Sequence, residues 1–329
     1  MNRIDAKGGV VLCCLSLPAV LLVVMPASAQ PYPAKTIRMI VPSAPGSGPD
    51  LIARVTAQKL GEQLGRPVVA DPRPGAGGSL GAELAAKAPP DGYTLIMASA
   101  GSHSVNPALY PKLPYDAVKD FSPIGLVSTA PNILIVHPSL PVKTVKDLIA
   151  LAKAKPGALT FGSGGNGSTA HLSGELFRVL AKVNMLHVPF KGAPSAVIGV
   201  MTGEISLAIL NLPPALPHVR SGKLKALGVS TAKRSSAVPD IPSIAEAGLP
   251  GYDAGTWYGL LAPAGTPGDI ITRLSTELMK ALRSDDMKKR IAVEGGDIAS
   301  GTPEDFAALI KRDIAKWTQV VQVSGAKAD

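Results

Sequence analysis

The chain has 329 residues, 46% hydrophobic and 17% charged, and its 33 Lys and Arg outnumber 24 Asp and Glu for a net charge of +9. The cations are scattered and aromatics make up only 4% of the residues, so neither the basic stripe nor the stacking platforms of a nucleic-acid binder are present. Both cysteines, Cys13 and Cys14, stand near the start, which leaves the body of the chain without a disulfide, a thiolate nucleophile or a cysteine metal site.

In chain order, Arg3 and Lys7 come first, followed by the apolar run "VVLCCLSLPAVLLVV" and the small residues Ala27, Ser28 and Ala29. This is the pattern of a cleavable secretory signal over residues 1–29. Pro18 and Pro26 interrupt the run, which is short for a membrane anchor. Too little apolar sequence precedes Cys13 and Cys14 for a lipidated cysteine. Cleavage after Ala29 predicts a periplasmic, cysteine-free chain of about 300 residues, enough for two domains. No later stretch has the length and apolarity of a membrane span. A basic surface on an exported protein suits an anionic small ligand.

Beyond the signal, glycines and prolines punctuate a recurring strand–loop–helix rhythm. "TIRMIVP" leads through "SAPGSGP" into "DLIARVTAQKLGEQLG", and "RPVVA" follows. "PGAGGS" then precedes "LGAELAAKA" and "YTLIMAS". After "IGLVSTAPNILIVHP" the theme repeats: "ALTF", a glycine loop, a helix, "MLHVPF", then "KGAP", "SAVIGVMTG" and "ISLAIL". Near the end, Thr266-Pro267 and Thr302-Pro303-Glu304-Asp305 read as starts of two helices. Alternating strands and helices predict an α/β fold with mostly parallel sheets flanked by helices. The expected architecture is the two-lobed one of a periplasmic binding protein with its ligand cleft between the lobes. Residues 30–128 and 254–329 form lobe 1, and 129–253 form lobe 2.

Two motifs invite enzymatic readings. In "FGSGGNGSTAH", Gly162, Gly164 and Gly167 match G-x-G-x-x-G between a strand and a helix that carries Leu172, Leu176 and Leu180. A dinucleotide site needs an acidic residue at the end of the next strand. That strand ends in Lys191-Gly192, so no cofactor is expected, and the loop is either a tight turn or a cradle for a smaller anion. In "GGSLG", Gly77, Ser79 and Gly81 match G-x-S-x-G. A nucleophile elbow needs a strand running directly into its serine, and a polar turn intervenes here. A secreted serine esterase using Ser79 is the enzymatic alternative. His103, His137, His171, His187 and His218 have no short ligand spacing, so neither a metal nor a catalytic residue is expected.

Four loops remain that each open a helix: "PSAPGSGPD", "GAGGS", "GSGGNGST" and "FKGAPSA". A helix start presents unpaired N–H groups and about half a positive charge, so several together can hold a carboxylate without arginine. Ser168 or Thr169 would add a hydroxyl donor there, or simply cap the helix.

At these loops the sequence resembles the substrate-binding proteins of tripartite tricarboxylate transporters, the Bug-type receptors. The likeness runs from "YPAKTIRMIVPSAPGSGPDLIAR" and "RPGAGGSLGAELAAKAPPDGYTL" through "GNGSTAHLSGELF", "HVPFKGAPSA" and "NLPPALPHVRSGKLKALGVSTAKR" to "WYGLLAPAGTP". The resemblance implies a periplasmic, monomeric receptor that closes on a small di- or tricarboxylic or aromatic acid and passes it to membrane subunits of a transporter. A sensory co-receptor for a membrane kinase is the alternative within that class. Matched by position, it implies ligand contacts from Ser43, Gly46, Ser47, Gly48, Asp50, Ser99 and His103 in the first lobe. The second lobe offers Ser163, Asn166, Ser168, Thr169, Ala193 and Asn211. Ser206 and Leu210 depart from the family pattern, standing where aspartates are common. A Leu210 facing the cleft would make an amino-acid ligand unfavourable.

Overall fold

The computed structural model describes residues 32–327; the predicted signal, with Cys13, Cys14 and the Ala29 cleavage position, lies outside the described residues. The chain builds two sheets, and the loops at their strand ends carry the glycine-rich segments.

The first sheet begins with β1 (Ile37–Val41), α1 (Gly48–Leu64), β2 (Val68–Pro72), α2 (Ser79–Ala86) and β3 (Thr94–Ser99). Alternation sorts the side chains of β1: Ile37, Met39 and Val41 meet Ile52 and Leu60 of α1, whereas Ile40 meets Ala82 and Ala85 of α2. The two-residue period of the strand thus gives both sheet faces apolar side chains, and helices cover both. After β3 a π-turn over residues 101–105 leads into the short α3 (Asn106–Leu109). The long β4 (Phe121–Ala130) then runs across Pro131 into β5 (Asn132–Val136), the first strand of the second sheet.

The second sheet continues with α4 (Val145–Ala154), β6 (Thr160–Ser163), α5 (Thr169–Ala181), β7 (Leu186–Pro189), α6 (Ala193–Met201), β8 (Leu207–Asn211), α7 (Leu212–Arg220) and β9 (Lys225–Val229). Its strand order is β7-β6-β8-β5-β9. Leu134, Leu207 and Ile209 pack with α4 and α5 on one face. Ile133, Ala208 and Leu210 pack with Ala196, Val197 and Val200 of α6 on the other.

The chain then returns to the first sheet through β10 (Thr256–Pro263), α8 (Gly268–Arg283), α9 (Asp285–Val293), β11 (Asp297–Ile298) and α10 (Pro303–Ser324). The first sheet is ordered β11-β4-β10-β3-β1-β2. The expected mostly parallel sheets are present, with four of six and four of five strands sharing a direction. The exceptions are β10 and β11 in the first sheet and β5 in the second. Strand β10 is buried along its whole length, and Gly259 lets the Phe306 ring press against its backbone.

Both C-terminal helix starts are present, with one correction. Thr302 forms a capping box with Asp305 at α10. Thr266 does not cap α8; its hydroxyl donates to the Pro263 carbonyl at 2.7 Å and the cap position falls on Pro267. Helix α10 also does more than pack on the first sheet. Phe306 and Ile310 join its core, while Trp317 and Val320 join the core of the second.

Candidate functional site

Three helices begin beside one another at a cleft of about 380 Å³, lined by residues of both sheets and by Ala130 and Pro131 at the first crossing. Helix α1 follows the loop after β1, α6 the loop after β7, and α7 follows β8 with no intervening residue. Prolines in the first turn of each fit because no helical partner awaits their missing N–H. The cap residues Ser47, Gly192 and Asn211 make no side-chain cap hydrogen bond. Helices α4, α5, α9 and α10, by contrast, are capped by Thr144, Ser168, Ser284 and Thr302. Helices α2 and α8, away from the cleft, also lack a side-chain cap. At the cleft, the first-turn N–H groups that the prolines leave, those of Gly48 and Asp50 in α1, Ala193 and Ser195 in α6 and Leu212 alone in α7, have no side-chain cap.

Gly46, Ser47, Gly48, Ala193 and Asn211 line this cleft. Ser43 supports from behind, accepting a hydrogen bond from the Ser47 hydroxyl at 2.9 Å. Asp50 is buried; one carboxylate oxygen takes the Gly46 N–H at 2.8 Å and Arg54 at 2.9 Å, while the other has no partner. Its hydrogen bonds shape the loop rather than face the cleft. Ser99 and Thr169 approach each other across Gly101, where a Cβ would stand 3.4 Å from Ser99 Oγ and 3.9 Å from Thr169 Cγ2.

The "GSGGNGST" loop does not line the cleft. Ser163 is buried and its hydroxyl bonds His187 Nε2 at 2.7 Å and the Gly165 backbone at 3.1 Å. Ser168 caps α5, accepting the His171 N–H at 3.1 Å and donating to the Gly165 carbonyl at 2.7 Å. The Gly167 N–H goes to His171 Nδ1 at 3.1 Å. Asn166 is half-buried in the same loop and likewise outside the cleft lining. The loop instead backs the start of α6: the Gly192 N–H donates to the Gly164 carbonyl at 3.2 Å.

His103 is fully buried, its ring against Phe121 and Tyr115, with Nδ1 bonded to Ser102 Oγ at 2.9 Å. Burial pushes its pKa down to about 3. It is a core histidine, and a ligand contact is not available to it. Leu210 is fully buried in the core beneath α6, and Ser206 bonds Thr160. Neither faces the cleft; the cleft is reached by the next residue, Asn211. Ser79 is buried at the start of α2, where its hydroxyl accepts from Asn106 Nδ2 at 3.2 Å, and no described histidine bonds to it. The esterase geometry is therefore not assembled.

Sequence reasoning missed the apolar walls of the cleft and its one carboxylic acid. Leu51, Pro131, Pro194, Pro213 and Pro214 form the walls with Tyr258, whose phenol burial pushes up to about 12. Glu294 lies at the C-terminal end of α9, half-buried, and burial raises its pKa. The run "NLPPALP" after β8 was the available signal, because paired prolines mark a helix's first turn. No Lys, Arg or His lines the cleft.

A model of the tripartite tricarboxylate transporter family receptor matches residues 52–326. Protein BugT of Bordetella pertussis is 38% identical over 330 residues, covering 99% of each chain. The solved structure of a periplasmic transporter is 40% identical with a TM-score of 0.79, covering 91% of this chain and 100% of its own. R. palustris Rpa4515, solved with adipate, is 36% identical with a TM-score of 0.80 over the same shares. Among the described residues, no helix is long and apolar enough to cross a membrane.

Proposed function

The chain belongs to the tripartite tricarboxylate transporter receptor family, and from that premise we infer that it works as a solute receptor rather than an enzyme. It captures a small carboxylate in the cleft between two closing lobes and hands it to the membrane subunits of a transporter. The lobes are residues 30–128 with 254–329, and residues 129–253, hinged where β4 passes into β5 and where the chain returns to β10. The receptor acts as a monomer in the periplasm, released there by cleavage after Ala29.

One observation carries this reading: three helix starts without side-chain caps meet at one cleft, α1 from the first sheet and α6 and α7 from the second. Each contributes partial positive charge, worth roughly 0.3–1 kcal/mol per start toward an anion at an exposed site, with the first-turn N–H groups not replaced by proline: two each on α1 and α6 and that of Leu212 on α7. Because the donors sit on both sheets, one carboxylate satisfies all of them only when the sheets are brought together. That couples capture to closure.

A thermal-shift screen of organic acids tests the reading. A true ligand at a hundred times its dissociation constant adds about 2.7 kcal/mol of stability. An acid panel that leaves the melting temperature unmoved, with stabilisation by uncharged solutes instead, would reject carboxylate capture.

A further inference from the structure

We propose that Glu294 makes this cleft selective for acids with a single carboxylate and an apolar body, against acids with a second carboxylate. This rests on reading the cleft as a carboxylate site and narrows the class of its ligand.

The argument starts from what the cleft offers a ligand beyond the helix starts. Its lining has no cation, and its one carboxylic acid is Glu294. Among the described residues neither a salt bridge nor a hydrogen-bond donor reaches that carboxyl. The next residue, Gly295, lies against the start of α7, where a Cβ would be in ordinary contact with Leu212 and Pro213 at 3.4 Å, and its φ of +73° turns the chain there. Glu294 therefore enters the site from the first sheet's side while the α7 start enters from the second.

Against a second negative charge the remaining walls offer no cation, only the neutral side-chain donors of Asn211 and Tyr258. Pro131, Pro194, Pro213 and Pro214 have no N–H to donate, and Leu51 has an apolar side chain. The first carboxylate of a ligand takes the donors at the helix starts. A second one meets proline rings, at most the neutral donors of Asn211 and Tyr258, and the Glu294 carboxylate, and like charges in a partly desolvated site repel. An alkyl or aromatic body, in contrast, buries apolar surface against the same walls. Discrimination built on repulsion of the wrong ligand is a recognised route to specificity. The expectation sets this chain apart from the relative solved with adipate, a six-carbon diacid.

Two matched pairs test it by calorimetry at pH 7.5 on the signal-free protein: hexanoate against adipate, and benzoate against terephthalate. The monoacid of whichever pair binds should be about tenfold or more tighter than its diacid. Glu294→Gln, which keeps the size and removes the charge, should shrink that ratio by about tenfold, chiefly by tightening the diacid. Equal binding of monoacid and diacid by the natural protein overturns the proposal, as does a ratio that Glu294→Gln leaves unchanged. Failure of all four acids while another acid of the thermal-shift panel binds overturns the proposal, whereas failure of every acid with stabilisation by uncharged solutes overturns the carboxylate reading itself.

Discussion

Two glycine-rich loops of this protein look alike in sequence and are used in opposite ways. The loop over residues 43–50 ties the Gly46 N–H to Asp50 and the Ser47 N–H to the Ala44 carbonyl, yet it lines the cleft through Gly46, Ser47 and Gly48 and brings the Gly48 N–H to the start of α1. The loop over residues 162–169 uses its own polar groups almost completely. Ser163, Ser168 and the Gly167 N–H are all paired with the loop backbone or with histidines of α5 and β7. What it offers the site is support for the Gly192–Ala193 turn, which does reach the cleft. A glycine pattern before a helix thus predicts a tight turn with exposed amides, and the surrounding side chains decide whether those amides remain available.

The largest expected effect comes from placing the same new charge on each loop. Aspartate is a good helix cap, so Ser47→Asp and Ser168→Asp should both fold. At position 47 the carboxylate occupies the α1 start on the cleft. Affinity for the acid found by thermal shift should fall about a hundredfold, equivalent to about 2.7 kcal/mol. At position 168 it should change less than about threefold, because that cap faces Gly165 and His171. Titration calorimetry on the two variants breaks the comparison if their losses are equal or reversed.

The next effect concerns His103, which the resemblance placed at the site and the structure places in the core. Its folded pKa lies near 3, well below the 6.5 of a free imidazole, because burial excludes the charged form. The sign follows from linkage. Below about pH 6.5 the unfolded chain takes up a proton that the fold refuses, so stability is full above that pH and falls as the pH drops toward 3. By pH 5 the loss from this group is about 2 kcal/mol. Urea midpoints between pH 7.5 and 5 should show it, and His103→Leu should flatten that part of the curve. An imidazole resonance that titrates near pH 6.5 would return His103 to an accessible place.

Third, the supporting role of the second loop can be tested without touching the cleft. A Cβ at Gly164 would stand 3.2 Å from the Ala193 nitrogen, tighter than ordinary contact, so Gly164→Ala must shift the α6 start by a few tenths of an ångström. Affinity should fall about tenfold, since misplacing a donor loses most of a charge-assisted hydrogen bond. Unchanged affinity would mean that the α6 start does not bear on the ligand.

How much of this was legible in the sequence depended on how local the cause was. The strands and helices of the two repeating series follow from alternation, glycine and proline placement, and the Thr302 cap, all within a few residues. The direction of β5 and β10 does not, because it is set by where the chain crosses between sheets, and nothing near those strands encodes their partners. The start of α1 was readable from Ser47-Gly48-Pro49. The α7 start was obscured by Pro213, Pro214 and Pro217, which argue against a helix until the first two are recognised as first-turn residues. Glu294 has no local signature at all; it reaches the cleft only because α9 returns from the far end of the chain. Leu210 and Asn211 show the limit most simply, since the period of two in a strand sends one to the core and the next to the cleft.

The smallest expected effect returns to Ser168, for which capping and ligand binding were both open from the sequence. Its hydroxyl accepts the His171 N–H at 3.1 Å and donates to the Gly165 carbonyl at 2.7 Å, so its one proton is already committed within the loop. Donation to a carboxylate would require breaking the shorter of these bonds. Ser168→Ala therefore removes a cap and the Gly165 tie, and costs about 1 kcal/mol of ligand-free stability. For a chain of this size that corresponds to a fall of about 2 °C in melting temperature. Affinity should stay within about twofold, because the hydroxyl was never a donor to the ligand and the cleft amides remain. Ser168→Asn should recover most of the lost stability as another good cap. A tenfold loss of affinity at unchanged melting temperature would reverse the assignment and put this loop on the ligand after all.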